Sequence, residues 1–301
     1  MAATEIRGRH GLPPRNLAPS DRWTVATYDP RGCSRSLLDG PVTDQSPATH
    51  ADHIVRLIDL LSPDGASAAL FGSSSSAVLA PAALARHPGR PSRVVAHEPP
   101  VVAQPPVPDA GRALFAAVRE AFRRDEVPAA MATMAAGLAP EEGQAAPGPE
   151  PAPPGPGRAA PDREQAAVTA EEARTPERNA EQAATREQSP DPERAAERGK
   201  PPTPAQAATF RRMHANLPVF LEHVLCPFSG YVPDLVALRA ASARLVVGVG
   251  RDSRALLPAV AAERLARNVD AEVVEFPGGH IGLTEDPRAF GARLRDVLLA
   301  R

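Results

Sequence analysis

The sequence predicts an α/β fold, a mostly parallel β-sheet with helices on both faces. Two observations support this prediction. Short apolar runs that suit buried strands alternate along the chain with longer segments of helical apolar spacing. Residues 245–249 form a continuous apolar run, which is typical of a parallel strand buried on both sides.

The strand candidates are short, rich in apolar and β-branched residues, and followed by turn residues. On this basis the predicted strands are residues 23–28, 93–96, 245–249 and 272–276. Residues 66–71 are apolar but mostly small, so the sequence leaves their conformation open.

Helices are predicted where apolar residues recur every three or four positions. They are residues 76–86, 112–124, 256–267 and 289–299, with a further helix that begins at Pro47. Ser46 can cap that helix, and proline suits the first helical position. Pro81 lies inside a predicted helix, where we expect it to cause a kink or cost about 3 kcal/mol.

Composition and charge exclude several classes of protein. Hydrophobic residues make up 43%, charged residues 23%, and the formal net charge is −2. A chain near neutrality gives no reason to expect a nucleic-acid partner, and no apolar stretch is long enough for a membrane helix. Cys33 and Cys226 show neither metal-site nor disulfide spacing. We expect a cytoplasmic protein without metal or cofactor that acts on a small-molecule substrate. The oligomeric state is left open.

Residues 139–208 differ from the rest of the chain. Proline aside, Val168 is the only apolar side chain larger than alanine between Leu138 and Phe210. Such a segment cannot offset the entropy lost on ordering, so we predict a disordered insert. The expected organisation is a poorly defined N-terminus (1–22), core with the start of a cap (23–138), the insert (139–208), and the end of the cap with the remaining core (209–301). The two core segments together would form one domain.

A serine-rich turn follows residues 66–71. Gly72-Ser73-Ser74-Ser75-Ser76 fits the Gly-x-Ser-x-Gly elbow that presents a nucleophilic serine between a strand and a helix, with Ser76 in place of the second glycine. Ser74 is then the nucleophile, and its hydroxyl needs a base and an orienting acid.

Two residues downstream supply that acid and base. Asp252 follows the strand 245–249, and His280 follows the strand 272–276, in the order expected after such an elbow. The sequence therefore predicts a triad of Ser74, Asp252 and His280. The alternative roles are a helix cap for Asp252 and an ordinary loop residue for His280.

Three segments resemble motifs of α/β-hydrolase-fold enzymes. The run from Tyr28 to Ser36, YDPRGCSRS, resembles their Asp-x-Arg-Gly-x-Gly-x-Ser turn, with Ser34 where glycine is common. FGSSSS (71–76) resembles their nucleophile elbow and FPGGH (276–280) their histidine loop. With Gly250-Arg251-Asp252, these motifs occur in the family's order over residues 23–100 and 210–301.

The resemblance implies the α/β-hydrolase fold with a small helical cap, and acyl transfer through Ser74, His280 and Asp252. In some members the acid follows the strand equivalent to 93–96, which makes Glu98 the alternative acid. The implied activity is hydrolysis of a small ester, lactone, amide or thioester through an acyl-enzyme. The alternatives are an acyltransferase or cofactor-free haloperoxidase on the same scaffold, or an inactive remnant or binding protein.

The N-terminal region departs from the family pattern. Members have further strands before the strand at 23–28, one of which lies inside the sheet and ends in a His-Gly loop. Because 22 residues precede Trp23 and the segment 5–9 makes a poor buried strand, we expect these strands to be missing. The oxyanion-hole N–H groups would come from Ser75 and, if His10-Gly11 replaces that loop, from Gly11.

Overall fold

The computed structural model describes residues 2–6, 24–104, 109–138 and 204–300. The chain divides into two units, one of residues 1–144 with 211–301 and one of residues 145–210. Of the second unit, the structure describes residues 204–210, which begin a helix. The predicted disordered insert otherwise lies outside the described residues. Its last residues, 204–208, are helical, because alanine favours helix and Pro204 occupies the first helical position.

Six strands of the described residues form one sheet in the order β2-β1-β3-β4-β5-β6. They are β1 (Ala2–Ile6), β2 (Thr24–Thr27), β3 (Ala68–Ser73), β4 (Pro91–His97), β5 (Leu245–Gly250) and β6 (Glu272–Phe276). β3, β4, β5 and β6 run parallel, whereas β1 is antiparallel to both of its neighbours. The predicted mostly parallel sheet is confirmed, and the segment left open by the sequence is strand β3.

Strand β1 corrects the prediction for the N-terminal segment. The sequence predicts a poor strand there and the loss of the sheet position beside β3. In the structure Ala3 is paired with Thr27 of β2 on one side and Phe71 of β3 on the other. The segment can fill this position because strand pairing uses backbone hydrogen bonds, which every residue except proline can both donate and accept.

The described helices include those that the apolar spacing predicts. They are α1 (Pro47–Leu61), α2 (Ser75–Arg86), α3 (Asp109–Leu138), α4 (Pro204–Ala215), α5 (Leu217–Val219), α6 (Leu225–Ser229), α7 (Leu235–Ala240), α8 (Leu257–Val269), α9 (Gly282–Glu285) and α10 (Pro287–Leu299). A π-helical turn (Phe220–Val224) joins α5 to α6, and a 3₁₀ turn (Ser242–Arg244) precedes β5. The Ser46 side chain caps α1 by accepting from the Thr49 N–H, as predicted. Pro81 lies inside α2 without ending it.

Two apolar layers cover the two faces of the parallel part of the sheet. On one face, strand residues such as Leu70, Val94 and Val247 belong to a buried cluster with residues of α1, α2 and α8. On the other face, Phe71 and Val95 belong to a second buried cluster with residues of α10. Successive residues of a strand point to opposite faces, so a strand covered on both sides must be apolar throughout. This arrangement explains the unbroken apolar sequence of β5.

A third buried cluster lies between α3, the π-helical turn and α6, and these elements together form a small helical cap. It includes Val102, Phe115 and Val118, together with Leu221 of the π-helical turn and Leu225 of α6. These contacts join α3 to the segment from α5 to α6.

Ion pairs reinforce this helical cap. Arg119 of α3 binds Asp44 at 2.8 Å and Glu222 at 3.1 Å, and Arg123 binds the same glutamate at 2.6 Å. α3 itself is broken at Asp125 and Glu126, which have non-helical backbone angles. No helix in the described ranges is both long and apolar enough to span a membrane.

His50 of α1 is a buried polar residue within the core. It is 2% exposed, and its ring lies edge-on to that of Phe228, with 5.5 Å between centroids. Its Nε2 hydrogen-bonds to Gln45 Oε1 at 3.2 Å. Burial, together with the charges of His53 and Arg31, lowers the pKa of His50 to about 4.

The low pKa of His50 predicts acid sensitivity of the fold. The His50 imidazole has a pKa of about 6.5 in the unfolded chain and about 4 in the folded chain. The stability that depends on a neutral His50 is therefore complete above about pH 6.5 and is lost between about pH 6.5 and 4. Between about pH 7 and 5, wild type should lose about 2 kcal/mol more unfolding free energy than His50→Gln. Urea titrations at both pH values measure this difference, and His214→Gln at an exposed position is the control. An equal loss in wild type and His50→Gln would contradict the prediction.

Candidate active site

Four parallel strands end at the same edge of the sheet, and each is followed by a polar residue of the candidate site. Ser74 follows β3, Glu98 follows β4, Ser253 follows β5 and His280 follows β6. The carboxyl ends of parallel strands are the usual position of sites in such sheets. Residues far apart in sequence are therefore brought together by the direction of the strands.

Ser74 lies on a sharp turn between β3 and α2. Its backbone angles are φ 56° and ψ −125°, and its N–H donates to the His97 carbonyl at 2.9 Å. Gly72 is required by this turn, because a Cβ there would lie 2.3 Å from the carbonyl oxygen of Ser76. The predicted elbow therefore has the conformation that its sequence pattern implies. Ser76 in place of glycine is buried within the first turn of α2.

His280 lies between Ser74 and Glu98. Its Nε2 is 3.0 Å from Ser74 Oγ, and its Nδ1 is 2.6 Å from Glu98 Oε2. Because an ionised carboxylate only accepts, Nδ1–H donates to Glu98 and Nε2 accepts from the serine hydroxyl. The loop is held by Glu285, which accepts from the Gly279 N–H at 3.0 Å.

Glu98 is fully buried, with 0% exposure. Its Oε1 accepts from the Gly250 N–H at 2.8 Å and from the Ser253 hydroxyl, while Oε2 faces His280. Burial on its own would raise the pKa of Glu98, but the hydrogen bonds from His280, Ser253 and Gly250 hold that pKa below its ordinary value. The carboxylate is therefore ionised at neutral pH although no part of it is exposed.

The structure corrects the prediction of Asp252 as the partner of His280. Both ring nitrogens of His280 are engaged by Ser74 and Glu98. The Asp252 carboxylate is 56% exposed and pairs with Arg251 at 2.9 Å. The cause is the backbone path after β5: the Asp252 N–H donates to the Gly278 carbonyl, and the side chain extends toward solvent. The alternative acid, Glu98, takes the position against the imidazole.

Of the two predicted oxyanion-hole donors, one lies in the described structure. Ser75 is the first residue of α2, where backbone N–H groups have no acceptor within the helix. It also lines the cavity beside Ser74. Gly11 lies outside the described residues.

A cavity opens beside Ser74 and His280, with about 410 Å³ of empty space that includes open solvent at its mouth. Apart from Ser74, Ser75 and His280, its described lining is apolar and carries no Asp, Glu, Lys or Arg side chain. The apolar residues are Pro100, Phe115, Met134, Leu138, Phe220, Leu225, Phe228 and Pro258. The residues of the helical cap thus supply much of the wall.

Two site features escape analysis of the sequence alone. Ser253 hydrogen-bonds to Glu98, but nothing in the local sequence distinguishes it from other turn serines. His97 is fully buried behind the site, with Nδ1 3.1 Å from Ser73 Oγ. Burial lowers the pKa of His97 to about 4, so this imidazole is neutral and part of the core. The signal available for His97 is its position at the apolar end of β4.

The turn that resembles the family's Asp-x-Arg-Gly-x-Gly-x-Ser motif is joined to Asn216, which follows α4. Ser34, at the position where glycine is common, has a positive φ of 49°. Its N–H donates to Asn216 Oδ1 at 2.9 Å, and its hydroxyl oxygen accepts from Asn216 Nδ2 at 2.9 Å. These two bonds hold a serine in a backbone conformation that glycine adopts at lower cost. Within the described ranges, no group of three or more His, Cys, Asp or Glu side chains is arranged to hold a metal ion.

A mostly parallel sheet between helices, a serine on a strand-to-helix elbow and a histidine on the loop after the last strand define the α/β-hydrolase fold, and this chain has that fold. Comparison with solved structures agrees. The chain is similar to MGS-M2, an α/β-hydrolase enzyme from a Medee basin deep-sea metagenome library. The TM-score is 0.54 and the identity 15%, over 95% of this chain and 82% of that chain. The predicted fold class is confirmed.

The chain is also similar to two other proteins. It is 25% identical to the uncharacterized hydrolase YraK of Bacillus subtilis strain 168 over 281 residues, which cover 92% of this chain and 79% of YraK. A thermophilic esterase from Thermogutta terrifontis aligns with a TM-score of 0.49 and 17% identity, over 89% of this chain and 76% of the esterase. No protein-family model matches the chain.

The backbone angles of Ser74 predict an unusual glycine effect. A residue with a side chain is strained at a φ of 56° and ψ of −125°, whereas glycine is not. Ser74→Gly should therefore be more stable than Ser74→Ala by about 1 kcal/mol, the reverse of the usual order. Urea unfolding of the two variants measures the difference. As a control inside α2, Ala85→Gly should destabilise by about 1 kcal/mol. Equal stability of the two Ser74 variants would argue against strain at the elbow.

Proposed function

We propose that the chain is a serine hydrolase that cleaves a small ester, lactone, amide or thioester with an apolar acyl group through an acyl-enzyme. The observation that carries this proposal is the hydrogen-bonded series from Ser74 Oγ to His280 Nε2 at 3.0 Å and from His280 Nδ1 to Glu98 Oε2 at 2.6 Å. A nucleophile, a base and an orienting acid in this order are the requirement for activating a serine hydroxyl. The fold and the similarity to YraK support an enzyme of the α/β-hydrolase class.

The proposed reaction proceeds in two halves. Ser74 Oγ attacks the substrate carbonyl while His280 Nε2 takes the hydroxyl proton, and the oxyanion accepts from the Ser75 N–H. The tetrahedral intermediate collapses to the acyl-enzyme as His280 returns the proton to the leaving group. Water then attacks the acyl carbon, with His280 again as the base, and Ser74 is released. Glu98 remains ionised and stabilises the imidazolium in both halves of the reaction.

The electrostatics of Glu98 support its role as the acid. Hydrogen bonds hold its pKa below the ordinary value despite burial, so it is negative when the imidazolium forms. At 2.6 Å from Nδ1 it also fixes the imidazole in the tautomer whose Nε2 can accept from Ser74.

The cavity supports an uncharged, apolar acyl group. A charged acyl group would lose its hydration against apolar walls without gaining a partner in the described lining, and such burial is costly.

Covalent labelling tests the nucleophile. A fluorophosphonate probe should label wild type and Ser73→Ala, but not Ser74→Ala, because only the Ser74 hydroxyl is activated by His280. Gel fluorescence and peptide mapping of the labelled site measure this. Labelling that persists in Ser74→Ala would exclude Ser74 as the nucleophile, and no labelling of wild type would favour a non-catalytic protein. Product analysis with an added alcohol then separates hydrolysis from acyl transfer.

A pair of isosteric variants tests the acid. Glu98→Gln should lower kcat by about 10³- to 10⁴-fold, because a neutral amide cannot stabilise the imidazolium. Asp252→Asn is the matched control and should leave kcat within about twofold, because surface changes away from the chemistry have small effects. Kinetics on an apolar acyl ester measure both, and urea unfolding verifies that Glu98→Gln is folded. The opposite ranking of the two variants would return the acid role to Asp252.

A further inference from the structure

We propose that Ser253 is a positioning residue of the triad, which holds the Glu98 carboxylate in the orientation that His280 requires. The proposal rests on the proposed function and adds a residue to it. Ser253 touches neither the cavity nor the reacting atoms, so its effect would pass through Glu98.

The contacts of Glu98 show why a hydroxyl is needed there. Its Oε2 faces His280, and its Oε1 accepts from the Gly250 N–H at 2.8 Å and from the Ser253 hydroxyl. Because the carboxylate has no proton to offer, the hydroxyl must be the donor. Ser253 is 2% exposed and Glu98 is 0% exposed, so both groups are shielded from bulk water. With Oε1 held by two donors, rotation of the carboxylate away from His280 would break both bonds.

The turn after β5 is built around this hydroxyl. The Ser253 N–H donates to the Gly250 carbonyl at 3.3 Å, which folds the turn back on the end of the strand. A Cβ on Gly250 would lie 2.6 Å from Ser253 Oγ and 2.8 Å from the Gly279 carbonyl carbon. Gly250 therefore leaves open the space that the hydroxyl occupies, while its own N–H supplies the second donor. This segment was expected to supply the acid, Asp252. It instead supplies two neutral donors, the Gly250 N–H and the Ser253 hydroxyl, to Glu98 after the neighbouring strand β4.

Loss of this hydroxyl would affect both the orientation and the charge of Glu98. The titratable groups that face Glu98 are His280, from the loop after β6, and His97, beside it in β4. The contacts from β5 and its turn are neutral donors. With one fewer donor to its ionised form, the Glu98–His280 pair would bind a proton more readily, and the apparent pKa of the pair would rise.

The test is the pH dependence of ester hydrolysis by Ser253→Ala. We expect kcat to fall by about 10- to 100-fold, the loss of a hydrogen bond to a charged group. KM should stay within about twofold, and the acid limb of the kcat/KM profile should move to higher pH. A residue with a merely structural role would lower thermal stability without moving that limb. Ser253→Cys, whose thiol is somewhat larger and donates only weakly, should move the limb in the same direction and serves if Ser253→Ala is unstable.

A double-mutant cycle shows whether the effect passes through Glu98. In the Glu98→Gln background, Ser253→Ala should cost much less than in wild type, because the ionised acceptor is already gone. Ser62→Ala is the control: Ser62 is 3% exposed, and its hydroxyl has no hydrogen-bond partner among the described residues. That variant should keep the wild-type kcat and pH profile.

The outcomes separate this inference from the proposed function. If wild type reacts with the fluorophosphonate probe but Ser253→Ala keeps its kcat and acid limb, the inference on Ser253 alone is overturned. An equal loss in the wild-type and Glu98→Gln backgrounds overturns it as well. If wild type does not react at Ser74 at all, the proposed function fails and this inference fails with it.

Discussion

The candidate site depends on keeping one carboxylate ionised in a place that water does not reach. An isolated charge in such surroundings costs several kcal/mol, and the group would ordinarily take up a proton instead. Glu98 stays charged because three donors converge on it: the His280 imidazole, the Ser253 hydroxyl and the Gly250 N–H. These donors come from two other strand ends, so the correct pairing of β4, β5 and β6 is a condition for the charge. The ionised state of Glu98 therefore depends on the correct folding of the sheet.

The same edge of the sheet also concentrates unfavourable backbone conformations. Ser74 and Glu98 both have positive φ without being glycine, at 56° and 49°. Such residues persist only where the surroundings determine their conformation. Here the surroundings are hydrogen bonds across the sheet: the Ser74 N–H reaches the His97 carbonyl, and the Glu98 N–H reaches the Gly248 carbonyl. The apolar layers on both faces keep those strands in register, and the strain can be sustained at their ends.

Local sequence patterns predict the parts of the site that local geometry decides. The elbow follows from Gly72 and the small residues around Ser74, and the position of His280 follows from its place after β6. The acid does not follow in this way. Asp252 and Glu98 both come just after buried strands, and choosing between them requires the path of the backbone beyond each strand. The sequence also does not predict that the segment 2–6 pairs antiparallel between β2 and β3, because that pairing uses backbone groups that every residue has.

The geometry also explains why one of the two carboxylates faces solvent. β4 and β5 are adjacent and parallel, with His97 paired to Gly248, so the residues just beyond them can approach the same histidine loop. Two carboxylates buried there would repel each other, and one would take up a proton. Once Glu98 occupies the position and uses the Gly250 N–H, the low-energy arrangement for Asp252 is toward water, where Arg251 pairs with it. The Nδ1 of His280 can hydrogen-bond to a single carboxylate. For this reason Glu98, after β4, is buried against it, and Asp252, after β5, is exposed.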